Sequence, residues 1–363
     1  MFSISSEKFG NLESGEEVFK YTISNGTLQA TFINYGATLV SFQGPDRQGK
    51  IEELILERKE LDDVVHKSDF FGCTIGRNAF RIKHGEFDLE GKHYKLFCNN
   101  GNNHLHGGKG GFHTRMWKVE PYIHDNKVGL LFSRVSKDGE EGYPGNFTVF
   151  ADYGLTINNE FEYEFYGLCD KKTIVNMTNH GYWNLSGDFK RNVDKHVLHM
   201  NSHYYYDGDD QIPDSTPIPV VNTPMDFTTP TPLYPSISVV DGAGRPGIDH
   251  AFAIEGFREN KDIYRIKTID EIDKCKDKKI LRYAATLYEG ESGRCWKLFT
   301  TEPALIIYSS NWLEEQPPFA PHYSVCMEPG YVPNAINTPS FPSSTLEAGE
   351  PFYHHTIMKY STI

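Results

Sequence analysis

A histidine in Thr178-Asn179-His180-Gly181-Tyr182-Trp183 and a glutamate in Cys326-Met327-Glu328-Pro329-Gly330-Tyr331 have the clearest chemical use in this sequence. Imidazole titrates nearest neutral pH, so His180 could hold and release a proton on an oxygen without large tuning. Glu328 follows Tyr323-Ser324-Val325-Cys326-Met327, a strand that Pro329 and Gly330 should end, leaving the carboxylate at its tip. In a partly desolvated cleft that carboxylate would have a raised pKa and act as a general base. Taken singly, each is better explained structurally, His180 as a satisfied histidine and Glu328 as a solvated glutamate at a strand end.

Asn102-Asn103-His104-Leu105-His106-Gly107-Gly108 adds amides and imidazoles suited to gripping a polyhydroxylated ligand. On a strand, His104 and His106 would project both rings to one face. That spacing also occurs at metal sites, but the glycine-rich continuation supplies no further ligand and suggests a turned loop over a ligand. No metal and no cofactor are expected. Arg77 and Arg81, in Gly76-Arg77-Asn78-Ala79-Phe80-Arg81, could each be surface charges. One directed into a polar cleft would donate fork-like hydrogen bonds to hydroxyls. Asp249, in Gly247-Ile248-Asp249-His250, could accept from hydroxyls or merely shape a turn. His354-His355 and Asp207-Gly208-Asp209-Asp210 lack a complete ligand set and are expected at the surface.

The elements that must position these groups are mostly strands. Phe161-Glu162-Tyr163-Glu164-Phe165 places three aromatics on one face and two carboxylates on the other, as a half-buried antiparallel strand requires. Phe147-Thr148-Val149-Phe150-Ala151-Asp152-Tyr153 and Leu28-Gln29-Ala30-Thr31-Phe32-Ile33 alternate in the same way, and Ala304-Leu305-Ile306-Ile307-Tyr308 suits a strand covered on both sides. Asn-Gly and Glu-Gly turn signals separate such runs. Helical periodicity is scarce: residues 61–67 suit two turns, and residues 268–274 another. The Pro-rich residues 212–235 carry enough apolar side chains to form an ordered loop packed on the surface. One large all-β unit of sandwich type, spanning residues 1–363, is the expected architecture.

Composition limits the partners. The chain has 363 residues, 13% of them aromatic, and a net charge of −13 from 49 acidic and 36 basic side chains, which disfavours nucleic acid or an anionic membrane. Six cysteines without CxxC spacing suggest buried reduced thiols and a cytoplasmic location. No secretory signal is visible at the start, and no apolar run approaches the roughly 20 residues that span a bilayer.

Together these segments resemble the aldose 1-epimerase (galactose mutarotase) family. The match runs in order from Asn34-Tyr35-Gly36-Ala37 to Phe341-Pro342-Ser343-Ser344-Thr345-Leu346, through the His104, His180 and Asp249 segments. It implies a supersandwich of antiparallel strands and a cofactor-free isomerase acting on free hexoses such as galactose or glucose. It further implies that His180 is the general acid and Glu328 the general base, with Arg81, His106 and Asp249 binding the sugar. Two positions depart from the family pattern: Phe80 stands where Asn is usual, and Asp214-Ser215-Thr216 replaces the usual Thr-Gly. A monomer or weak dimer is expected. Two other classes remain at this point. A glycoside-cleaving enzyme would need a second opposed carboxylate, and a non-catalytic module would bind sugar without converting it.

Overall fold

Alternating aromatics build the core. Phe161, Tyr163 and Phe165 point inward from strand Glu160–Cys169 and are fully buried. They join Phe32, Phe42, Tyr153, Trp183 and Trp296 in one apolar cluster. Burying each such side chain contributes about 1.5–3 kcal/mol, so this cluster is the main source of stability. The structure is a computed structural model describing residues 1–67, 70–257 and 280–363. The helix expected at residues 268–274 and Cys275 lie outside the described residues.

Antiparallel pairing assembles the strands into three large sheets. The nine-stranded sheet runs in the order Lys118–Ile123, Lys127–Ser136, Phe147–Thr156, Glu160–Cys169, Pro351–Thr362, Arg294–Thr300, Arg282–Tyr288, Val197–Met200, Thr231–Pro232. A five-stranded sheet covers residues 3–53 in sequential order, and a six-stranded sheet carries the cleft described below. Side chains from all three sheets meet in the main cluster, so the layers form a large antiparallel β-supersandwich. Glu90-Gly91 joins Glu86–Leu89 to Lys92–Lys95 with both φ angles positive, 53° and 74°, which suits the twist of a tight hairpin.

Among the described residues the α-helices are short, Leu61–His66 and Ser236–Val239, and no helix is long and apolar enough to cross a membrane. Residues 212–235 are ordered, contributing Ile218–Pro219 and Thr231–Pro232 to sheets and burying Val220, Met225, Phe227 and Leu233. Cys73, Cys169, Cys295 and Cys326 are buried, but Cys98 is only half-buried.

The outward face of Glu160–Cys169 departs from expectation. Glu164 is buried and accepts from the Tyr353 hydroxyl at 2.6 Å. Glu162 takes the His355 ring at 2.6 Å and Lys127 at 3.2 Å. His354 is fully buried, with Nδ1 3.1 Å from the Met177 carbonyl oxygen. The His354-His355 pair is therefore not a surface feature. Cross-strand register sets both rings among partners that no local spacing reveals.

Candidate active site

The cleft is floored by one face of the six-stranded sheet, ordered Tyr182–Trp183, Val325–Gly330, Ala304–Tyr308, Asp249–Ala253, Tyr204–Tyr206, Ile218–Pro219. Register sets the floor in rows. Tyr182, Cys326, Tyr308 and Asp249 pair successively across four strands, and Glu328, Ile306 and Ala251 form the adjoining row. Alternation sends their neighbours Val325, Met327, Leu305 and Ile307 into the main core.

Glu328 thus sits inside a strand, not at its tip. Pro329 and Gly330 continue the pairing, opposite Leu305 and Ala304. On the other side, Tyr182–Trp183 reaches only Val325 and Cys326, so the strand is an edge by Pro329, where a residue without an N–H is tolerated.

His180 occupies the turn between Thr178–Asn179 and Tyr182–Trp183. Its backbone N–H donates to the Cys73 carbonyl and its carbonyl accepts from Gly72, both at 2.9 Å. The ring stacks on Tyr182 at 4.9 Å and on Phe70 at 5.9 Å. That packing brings Nε2 to 3.7 Å from Glu328 Oε1. Cys326 Sγ lies 3.7 Å from the opposite ring nitrogen, Nδ1.

The His-x-His pair divides. The strand here is only His104–Leu105, and His106 follows with φ of 51°, so the two rings do not share a face. His104 is a structural residue, its Nε2 2.6 Å from the Tyr143 hydroxyl and its Nδ1 2.7 Å from the Phe97 carbonyl. His106 enters the cleft, edge-on to His180 at 5.1 Å. Its Nδ1 accepts from the Phe80 N–H at 3.3 Å, leaving the Nε2–H tautomer as a donor.

The arginines divide as well. Arg77 is buried and donates to the Pro144 carbonyl and to Ser136, a role confined to the core. Arg81 lines the cleft, its Nε donating to Asn100 Oδ1 at 3.1 Å and its Nη1 3.8 Å from Asp249 Oδ2. Asp207, Asp209 and Asp210 are exposed, as expected, with Asp210 also lining the cleft and Asp207 3.4 Å from His250 Nε2.

The cavity measures about 480 Å³ and is lined by all five expected residues, Arg81, His106, His180, Asp249 and Glu328. That volume lies within the usual range for small-molecule sites. Burial pulls the His180 imidazole down to about 3 and holds the Glu328 carboxyl well above its ordinary value, with Asp249 adding to the second effect and Arg81 opposing it. Burial therefore favours a neutral imidazole beside a protonated carboxyl. Glu328 Oε2 is buried without a hydrogen-bond partner among the described residues, an unmet need that a ligand hydroxyl would satisfy.

A family model described as aldose 1-epimerase matches residues 20–359. The chain belongs to the aldose 1-epimerase family. Curated relatives of this epimerase include the galactose mutarotase of Sus scrofa, 33% identical with 99% of both chains covered. The Homo sapiens galactose mutarotase is 32% identical with the same coverage. The Escherichia coli aldose 1-epimerase is 30% identical over 88% of this chain and 87% of its own. Among solved structures, the galactose 1-epimerase from Lactobacillus acidophilus superposes with a TM-score of 0.82 at 24% identity, covering 100% of this chain and 99% of its own, and so supports the fold.

Sequence reading of this epimerase missed Tyr308, Phe70 and Trp312 in the cleft. Tyr308 carried a signal, as the one polar tip on the run Ala304–Tyr308. Phe80, which departs from the family pattern, is buried at a φ of 65°. An asparagine adopts that left-handed conformation more readily than a bulky aromatic. Its ring joins Ile306, Ala251 and Phe341 in an apolar cluster, so this corner of the cleft is a wall without an amide.

Proposed function

We propose that the cleft interconverts the α and β anomers of a free hexose such as galactose or glucose, with Glu328 and His180 sharing one catalytic proton. The observation that carries this reading is the pairing of His180 Nε2 with Glu328 Oε1 at 3.7 Å in a cleft that also holds Arg81, His106 and Asp249.

The chemistry follows from the groups. With the cyclic sugar bound, the reactive pair is a Glu328 carboxylate and a His180 imidazolium. Glu328 takes the proton from the C1 hydroxyl, the bond between C1 and the ring oxygen breaks, and His180 Nε2 delivers its proton to that oxygen. The open aldehyde then sits against a protonated carboxyl and a neutral imidazole, the same state that burial favours. Rotation about C1–C2 presents the other face of the aldehyde, and both proton transfers reverse as the ring closes. No electrons move, so the steps need no redox partner. Arg81, His106 as an Nε2–H donor, and Asp249 as acceptor are the proposed grips on the remaining hydroxyls.

Freshly dissolved α-D-galactose provides the test. Added enzyme should speed the approach to equilibrium optical rotation, and an unaccelerated rate would overturn the proposal. Within that assay, Asp249→Ala should raise KM more than it lowers kcat, since it removes a binding contact worth about 1–3 kcal/mol. An unchanged KM would remove Asp249 from the sugar site. We infer further that residues 1–363 act as one catalytic unit, a monomer or weak dimer. The buried thiols of Cys169, Cys295 and Cys326, none in a disulfide, favour a reducing compartment such as the cytoplasm.

A further inference from the structure

We infer that the cleft is shaped for an aldose without a hydroxyl at C2, so that a 2-deoxyhexose is preferred over its parent hexose. The inference rests on the proposed reaction, because that reading fixes how the sugar sits. Glu328 takes the C1 hydroxyl and His180 the ring oxygen. Both oxygens are bonded to C1, and the one other ring atom bonded to C1 is C2. With the ring oxygen turned toward His180, C2 lies on the opposite side of the base.

That side is apolar. His180 approaches Glu328 from the edge where Tyr182–Trp183 pairs with Val325–Gly330. Across the other edge, Ile306 stands directly opposite Glu328, and Ala251 directly opposite Ile306. The row leading from the base away from His180 therefore ends in methyl groups. Phe80 closes the same corner, its ring packed with Ile306 and Ala251 in one apolar cluster. The ring also stands over Gly330, two residues past Glu328, where a Cβ would come within 2.8 Å of it. Phe80 and Ile306 both line the cavity. Asn176 lies beside Gly330 too, but its amide is spent elsewhere. Its Oδ1 accepts from the Tyr331 N–H at 3.0 Å and its Nδ2 donates to the Ala79 carbonyl at 3.2 Å.

A C2 hydroxyl brought to this corner leaves water and meets carbon, whereas a C2 methylene gives up no hydrogen bond. A site that offers that hydroxyl a partner has the reverse order, because the deoxy sugar would leave the partner unpaired. Arg81, His106 and Asp249 remain for the hydroxyls farther from C1.

Calorimetry with D-galactose and 2-deoxy-D-galactose reads this without turnover, so the inference and the proposed reaction can fail separately. The expected Kd is about 10-fold lower for the deoxy sugar. Polarimetry corrected for each sugar's spontaneous rate should give the same order in kcat/KM. Phe80→Asn puts an amide at this corner and suits the φ of 65° there. It should tighten galactose binding and narrow the difference to about twofold or less. Equal or weaker binding of 2-deoxygalactose by the wild type would overturn the inference, even if the variant failed to fold. So would a folded asparagine variant that kept the full preference.

Discussion

Glu328→Gln should stop anomer interconversion while leaving the fold at least as stable. General base catalysis by a placed carboxylate is worth about 10²–10⁴-fold, and an amide of the same shape cannot take a proton from the C1 hydroxyl. The stability side follows from the surroundings. Glu328 is buried in a strand interior, and its Oε2 has no hydrogen-bond partner among the described residues, so the carboxyl forms no contact there that an amide would lose. Burial disfavours its charged form. Polarimetry should therefore record a loss of at least about 100-fold, while thermal unfolding shows a midpoint equal to or above that of the wild type. Turnover within tenfold of the wild type would remove Glu328 as the base.

His180→Asn should be comparably inactive, and the pH dependence of the wild type shows why. The pair works while it holds one proton. Below the acid limb it takes a second, and Glu328 can no longer accept. Burial draws His180 down to about 3, which moves that limb far to the acid side of an ordinary imidazole. Above the alkaline limb the pair loses its only proton, and His180 can no longer donate. Burial raises the Glu328 carboxyl, which moves that second limb upward from the usual carboxylate range. A plot of kcat/KM against pH should thus be a broad bell whose two limbs belong to the pair jointly. The asparagine variant should lack the bell and retain no more than about 1% of the peak rate. It should also lose the ring stacking on Tyr182 and Phe70, worth about 0.5–1.5 kcal/mol for each aromatic pair. A variant that keeps the bell would show that another group supplies the acid.

The all-β character was legible because alternation over five to ten residues is a local property, as Phe161, Tyr163 and Phe165 illustrate. The candidate site was legible only in combination. His180 and Glu328 each had an ordinary explanation, and the family resemblance linked them to Arg81, His106 and Asp249, which the structure gathers on one cleft. What was not legible depends on register between distant strands. Arg77 and Arg81 are the same residue type four positions apart, yet one is sealed in the core and the other faces the cavity. Glu328 looked like a strand tip because Pro329 and Gly330 usually end strands. The short neighbour Tyr182–Trp183 is what lets pairing continue past them. Cys326 attracted no notice beyond its count among the thiols, since nothing local says that its sulfur will meet an imidazole 146 positions away.

The strand Pro351–Thr362 lies between Glu160–Cys169 and Arg294–Thr300 in the nine-stranded sheet. A nascent chain that has not yet extruded residues 351–362 from the ribosome must keep that sheet in two separate parts. Each part then offers an unpaired backbone edge to other chains, the condition under which β proteins associate wrongly. Chaperone protection during synthesis should matter more for this fold than for sheets completed in sequential order.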